Sequence, residues 1–280
     1  MNEPEKNAVN TAADTPDDFT PPTEEELKYP RKVGVARFFE LMGRDLWSFY
    51  KAGFLCLPAF APGFAAVVLG IMMQQPLLCI VGGLVGGVIA GPVLCGLVDT
   101  ILRALRDEPG YWWHTYRTAW KQNWKDSLIP GGMLGLFLGL WCYLLSALPN
   151  MEQEVPITVW ICLLIGLVIA AGIVCYLFAQ TALVALPLGQ KMKNAGLFYI
   201  GFLPRSLAAS LVTVVYWGLV LLYMPYTMPL TLVTGFWFPT VIAVQIIYPA
   251  LDRAFQLEKT IQQRRDAELD AHLAQRTDDV

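Results

Sequence analysis

Asp99 and Arg103 form a pair of opposite charges in this sequence that stands at the end of a long apolar block. Asp99 stands near the end of a long apolar block, in GLVDTILRALR, and no other charged residue lies so far inside such a block. A carboxylate at that depth is the usual marker of ion transport, proton relay or catalysis. Arg103 follows four residues later, which on a helix also suits a simple ion pair. This pattern fits either a structural ion pair or a coupling site or gate.

The other polar side chains form no catalytic set. Gln180 and Thr181 are the next polar group in an apolar block, and we expect them to bond between helices. The two histidines, His114 and His272, lie in polar segments, and the six cysteines lie in apolar blocks without a CxxC spacing. The motifs HExxH, GxSxG and the Walker loop are absent from the sequence. We therefore expect no catalytic residue, no metal site, no cofactor and no enzymatic activity.

Long apolar blocks are the elements that position Asp99. The chain has 280 residues, of which 55% are hydrophobic and 15% charged, whereas a soluble domain carries about 25% charged residues. About 20 helical residues cross the hydrocarbon, so each long apolar block predicts a membrane span. The predicted fold class is an all-α polytopic membrane helix bundle with about six transmembrane helices and cytoplasmic amphipathic interfacial helices. The predicted spans are Ala52–Met73, Pro76–Leu102, Ser127–Leu148, Val155–Leu186, Ser206–Tyr226 and Met228–Ala250.

The distribution of positive charge orients these spans. All 20 Lys and Arg residues fall on one side of the six blocks, and the positive-inside rule assigns that side to the cytoplasm. Both termini are then cytoplasmic. The predicted regions are an acidic, disordered tail over 1–30, a six-span membrane domain over 31–250, and a cytoplasmic C-terminal helix and tail over 251–280.

Tryptophans concentrate in the polar segment that precedes the third span. Trp113, Tyr116, Trp120 and Trp124 recur at helical spacing, and Arg117, Lys121 and Lys125 occupy a neighbouring face. This pattern is typical of an interfacial helix, whose rings bury at the membrane surface while cations reach toward headgroups. A ligand-stacking box is the alternative. The net charge of −3 argues against nucleic acid as a partner. Interfacial helices are predicted near 33–51, 111–125 and 190–204.

Small residues predict how two of the spans pack. Gly83, Gly87 and Gly91 recur every four residues in span two, and Gly131, Gly135 and Gly139 do so in span three. In lipid such ridges let helix backbones approach closely. We expect the two spans to pack within one chain, and a homodimer through one ridge is the alternative.

The stretch 91–131, GPVLCGLVDTILRALRDEPGYWWHTYRTAWKQNWKDSLIPG, resembles the YesL-like family of bacterial integral membrane proteins, a domain of unknown function. The resemblance implies a multi-pass protein of the bacterial cytoplasmic membrane. It also implies an accessory role in carbohydrate uptake, because family members often occur near such functions. The features that carry it are Gly91-Pro92, Gly96, Leu102-Arg103, Arg106-Asp107-Glu108, Trp113, Lys121, Asn123-Trp124-Lys125 and Ser127-Leu128.

Two functions follow as hypotheses. The first is a non-enzymatic accessory or scaffold protein that sits in the lipid bilayer and binds an ABC transporter subunit or another membrane protein. The second is a small transporter or channel that works alone. The candidate functional or interface residues are Gly91, Pro92, Asp99, Arg103, Trp113, Trp120, Asn123 and Trp124.

Overall fold

The structure, a computed structural model, describes residues 32, 34–108, 110–152, 154–224, 226–263 and 266–267. The acidic tail predicted over 1–30 and the end of the C-terminal region lie outside these residues. No strand occurs in the described ranges. The helices are α1 Val35–Met72, α2 Pro76–Arg106, α3 Trp112–Ala147, α4 Ile157–Leu183, α5 Leu188–Gly201, α6 Leu203–Leu222, α7 Met228–Thr234 and α8 Trp237–Phe255, with a 3-10 turn over Leu148–Asn150.

The prediction of an all-α membrane bundle is confirmed. Five helices, α1, α2, α3, α4 and α6, are long and apolar enough to cross a membrane. The pair α7 and α8 makes a sixth if it is counted as one span bent by 51°. The bend lies at Gly235, whose φ of +41° favours glycine. The predicted sixth span is therefore broken near its N-terminal end.

The C-terminal helix begins later than the sequence predicts. Helix α8 continues through the predicted boundary to Phe255, and Gln256 ends it in the left-handed conformation with φ 53°. Residues 257–263 are again helical. The Glu258 backbone N–H donates to Asp252 Oδ1 at 2.7 Å, and the Tyr248 hydroxyl donates to Glu258 Oε1 at 2.8 Å. These two bonds hold the start of the last helix against α8.

Helix α2 is the centre of the bundle, since glycine ridges cover two of its faces. A Cβ on Gly87 would overlap the Gly131 carbonyl oxygen and would lie 2.7 Å from the Gly135 Cα. On the opposite ridge, a Cβ on Gly86 would overlap the backbone of Gly63 in α1. The predicted packing of spans two and three within one chain is thus confirmed. Both glycine ridges of α2 are occupied inside the chain and are not free to form a homodimer.

Helix α1 runs alongside α2 for its whole length. Gly70 packs on Cys79, Gly63 packs on Gly86, and the Arg44 guanidinium reaches Ala104, so the antiparallel register stays constant. The segment 33–51, predicted as a separate interfacial helix, is instead the upright first half of α1. Its amphipathic pattern has a packing reason, because Leu41 and Phe49 are buried in the core.

The first turns of α3 depart from the antiparallel register in which the rest of α3 packs on α2. Gly131 faces Gly87, and continuing that pairing would place Tyr116 opposite Leu102. The Tyr116 hydroxyl instead donates to the Val93 carbonyl at 3.3 Å, about 13 Å further along α2. A tyrosine side chain is too short to bridge this offset along α2. Helical side chains also lean toward the N-terminus of their own helix, which for Tyr116 is the direction away from Val93. Residues 112–126, here called the crossing segment, therefore pass across α2 at a steep angle.

The two ends of the crossing segment are fastened to different helices. At its start, the Trp112 ring lies 5.1 Å from the Lys51 ammonium of α1. At its end, Asp126 accepts a 2.9 Å bond from Lys191 of α5. The sequence predicted a separate helix near 111–125, but the structure makes this segment continuous with the span of α3. The third predicted interfacial helix is a separate element, α5, which ends at Gly201 before Pro204 enters α6.

Candidate functional site

A cleft of about 270 Å³ opens where the C-terminus of α2 meets α1 and the start of α3. It is the candidate functional site, because charged and aromatic side chains from three segments converge on it. By the distribution of Lys and Arg, it faces the side predicted to be cytoplasmic. Its walls include Arg44, Asp45 and Ser48 of α1, Thr100 and Arg103 of α2, Asp107 and Glu108 of the following loop, and Trp112 and Thr115 of α3.

Two arginines of α1 cap the C-terminus of α2. The last carbonyls of a helix have no partner within it and carry a partial negative charge. Arg37 Nη2 donates to the Ala104 and Leu105 carbonyls at 3.3 and 3.1 Å, and Arg44 Nη2 donates to Ala104 at 2.9 Å. Both guanidiniums also bond Asp107 Oδ1 at 2.6 Å. Arg37 and Arg44 reach the same helix end because they stand two turns apart on one face of α1.

A second group of charges is built around Asp99. Arg103 Nε donates to Asp99 Oδ2 at 2.7 Å, and the Asp99 side chain is 4% exposed. Glu108 lies 3.5 Å from Arg103 and 2.8 Å from Arg106. The predicted pair of Asp99 and Arg103 is therefore present, and it forms the inner end of a longer charge network.

The charges that line the cleft are paired inside the chain. Five of its lining side chains are charged, and each of them has at least one ion-pair partner. The arrangement is a polar surface of mixed charge, able to bind a polar or charged segment by complementary contacts.

A buried lysine links α5 to the crossing segment. Lys191 is 1% exposed, and its ammonium bonds Asp126, whose side chain is 53% exposed. Gln180 of α4 donates from Nε2 to the Lys191 carbonyl at 3.3 Å, which confirms the expected bond between helices for this residue. Thr181 instead donates to Leu177 in its own helix. The Gln180 Oε1 atom is buried and has no hydrogen-bond partner among the described residues.

Hydroxyl groups continue this buried polar cluster between α4, α5 and α6. Tyr176 and Ser206 share a hydrogen bond of 3.1 Å, and both are fully buried. Tyr199 packs its ring on Gly172 beside Ser210, and the Tyr199 hydroxyl has no partner among the described residues. We name Tyr176, Gln180, Lys191, Tyr199, Ser206 and Ser210 the polar cluster.

The structure separates the candidate residues of the sequence analysis into three places. Arg103 lines the cleft, and Asp99 is its buried ion-pair partner. Gly91 and Pro92 are buried, and Gly91 packs on the Ser127 carbonyl where the crossing segment ends. The aromatic candidates and Asn123 lie along the crossing segment: Trp113, Trp120 and Trp124 are 47%, 41% and 43% exposed, and Asn123 is half-buried.

Arg37, Arg44 and Lys191 are functional candidates that the sequence reasoning missed. It treated them only as charges that orient the membrane domain. The seven-residue spacing of Arg37 and Arg44 around the buried Leu41 was an available signal, because it places them on the packed face of α1. Lys191 offered a weaker signal, since its burial depends on long-range packing of α5.

No family model, no curated protein and no solved structure matches the chain. The resemblance of the stretch 91–131 to the YesL-like family stays a prediction from the residues that carry it.

Proposed function

We propose that the chain is a non-enzymatic accessory protein of the bacterial cytoplasmic membrane that docks a partner protein at its cleft. The paired state of the cleft charges is the observation that supports this proposal. A catalytic or transporting carboxylate changes its proton or its partner during turnover. Arg44 and Asp107 instead hold the C-terminus of α2, and Arg103 is held between Asp99 and Glu108, so the cleft keeps one shape.

A rigid surface of mixed charge suits protein docking. Complementary charges set the register and the specificity of an interface, and a surface that is already ordered loses little entropy when it binds. The glycine ridges hold α1, α2 and α3 together beneath the cleft. An oligosaccharide ABC transporter is the proposed partner class, and this part of the proposal rests on the resemblance of the stretch 91–131.

Site-specific crosslinking in native membranes tests the docking proposal. A photoreactive amino acid replaces Ser48 in the cleft wall, and in the control it replaces Val215, a lipid-facing residue of α6 that is 53% exposed. After gentle solubilisation, mass spectrometry identifies the captured proteins. We expect one transporter subunit from Ser48 and not from Val215. The same proteins from both positions, or none from Ser48, would contradict the proposal.

Autonomous transport is the second candidate, and the polar cluster favours it. Lys191 and Gln180 place an ammonium and an unpaired amide oxygen inside an apolar bundle, and intramembrane polar groups commonly mark substrate or ion pathways. Flux of sugars, ions and lipids is measured in liposomes that contain the purified protein. Transport predicts flux that Lys191→Met or Asp99→Asn abolishes and that Lys193→Met, an exposed control on α5, retains. Absence of any flux would remove this candidate.

A further inference from the structure

The crossing segment has three distinct sides outside its packed face. With about 100° between successive residues, its buried side is centred near Asn123 and includes Tyr116 and Ala119. Trp113, Trp120 and Trp124 lie about 60 to 100° to one side of that centre. Thr115 and Gln122 lie about 80 to 100° to the other side. The aromatic side and the uncharged polar side are therefore opposite each other.

This division matches a helix that lies flat at a bilayer surface. Such a helix turns its aromatic side toward the acyl chains and its polar side toward water. The steep crossing over α2 gives the segment that orientation, because α2 itself spans the bilayer. The three tryptophans are each more than 40% exposed, so the bundle does not cover them.

Three cations occupy the remaining side, which faces away from the bundle. Arg117, Lys121 and Lys125 follow one another at every fourth residue, and all three are exposed. None of them has a salt-bridge partner in the described part of the chain. Asp126, the acidic residue of the segment, is turned inward to Lys191. The outward side thus presents a row of positive charge that no acidic side chain of the described residues neutralises.

We propose that Arg117, Lys121 and Lys125 form a binding surface for anionic phospholipid headgroups, with the tryptophans anchoring the adjacent acyl chains. The positive charge of this row is complementary to phosphodiester anions, which makes an anionic phospholipid headgroup the expected ligand. Each Lys or Arg near an anionic membrane strengthens the attraction by about fivefold in association constant. This surface lies apart from the charged cleft, so lipid binding does not depend on whether the cleft docks a partner.

Tryptophan quenching by brominated lipids tests the surface directly. The full chain is reconstituted in phosphatidylcholine vesicles that contain either dibrominated phosphatidylglycerol or dibrominated phosphatidylcholine at the same mole fraction. The ratio of quenching gives the association constant of the anionic lipid relative to the neutral lipid. We expect the wild-type protein to prefer phosphatidylglycerol several-fold, and the preference to weaken as salt rises.

Two triple variants separate this surface from general positive charge. Arg117→Gln/Lys121→Gln/Lys125→Gln is expected to bring the relative association constant close to one. Lys193→Gln/Arg205→Gln/Lys259→Gln removes three exposed cations from other helices and is expected to keep the wild-type preference. All nine tryptophans remain in each protein, so the quenching signals compare directly.

Circular dichroism and size-exclusion elution verify folding. If the first triple variant does not fold, the single variants Lys121→Gln and Lys125→Gln replace it, with about a fivefold loss at most for each.

Three results would overturn the proposal. One is a wild-type protein without preference for phosphatidylglycerol. Another is a crossing-segment variant that keeps the wild-type preference. The third is displacement of the lipid by sodium phosphate beyond the effect of sodium chloride at equal ionic strength, which would assign the surface to soluble phosphate.

Discussion

For single residues, the solvent exposure of the ion-pair partner decides how much the loss of a buried charge costs in stability. Arg37 is almost fully buried, and three of its contacts are carbonyls or carboxylates at the end of α2. Lys191 is equally buried, but its partner Asp126 is half-exposed. Removing one member of a pair is costly when the other member is left buried without a partner, and much less costly when water can solvate it.

Arg37→Met is expected to destabilise the protein by about 2 to 3 kcal/mol, because the Leu105 carbonyl and Asp107 lose a buried charged donor. The matched variant Arg44→Met removes a guanidinium that is 44% exposed and is expected to cost about 1 kcal/mol or less. Thermal unfolding in detergent measures both. Equal losses would show that the burial of Arg37 has no energetic role.

Asp126→Asn is expected to destabilise the protein more than Lys191→Met does. The first change leaves an ammonium that is 1% exposed without its counterion, whereas the second leaves a carboxylate that water can reach and fills the site with an apolar side chain of similar length. We expect the difference in midpoint temperature to have this sign under identical detergent conditions. The reverse order would mean that Asp126, rather than Lys191, is the desolvated member.

At the scale of helices, close backbone contact holds the bundle together. Lipid provides no hydrophobic force between helices, so association depends on van der Waals packing and hydrogen bonds. The ridge of Gly83, Gly87 and Gly91 fits the ridge of Gly131, Gly135 and Gly139 along about two turns of α2 and α3. This contact between the two ridges also fixes where the crossing segment ends, since Gly91 packs on Ser127.

Gly87→Ala is expected to cost about 1 to 3 kcal/mol, since the added methyl group meets backbone atoms of Gly131 and Gly135 that cannot rotate away. Gly166→Ala is the matched control within α4. A Cβ at Gly166 meets nothing within 4 Å, so this change is expected to be neutral or stabilising by up to about 1 kcal/mol. Thermal unfolding followed by circular dichroism compares the two. A Gly87→Ala protein as stable as wild type would contradict the close backbone contact between the two glycine ridges.

At the scale of the whole molecule, the helices form a bundle whose charged ends lie together. The Lys and Arg distribution predicts that this charged end is cytoplasmic. The bend between α7 and α8 and the turn before α4 then lie on the other side. The charged cleft and the lipid-binding surface would both face the cytoplasmic leaflet.

Cysteine labelling in intact cells checks this topology. In a chain whose six native cysteines are replaced, Glu152→Cys in the turn before α4 is expected to react with a membrane-impermeant maleimide from outside. Lys193→Cys on α5 is expected to react only after the membrane is permeabilised. Both residues are exposed, so burial does not limit either reaction. Labelling in the opposite pattern would invert the predicted orientation.

Features that a lipid environment imposes on segments of about 20 residues can be predicted from the amino-acid sequence. Apolar blocks had to become helices because unpaired backbone groups are not tolerated in hydrocarbon, so the all-α bundle followed from hydropathy. The glycine ridges of spans two and three and the i,i+4 spacing of Asp99 and Arg103 were also readable in the sequence, since each rests on local helical spacing.

Tertiary structure alone decided which distant segments meet. The capping of α2 by Arg37 and the burial of Lys191 against Asp126 join residues 68 and 65 positions apart. The steep crossing of residues 112–126 rests on a contact between α2 and α3 over 23 positions. Amphipathic patterns look alike whether a helix faces lipid headgroups or another helix. For that reason the segment 33–51 resembled a surface helix in sequence, yet it packs upright along α2 once the glycine contacts set the register.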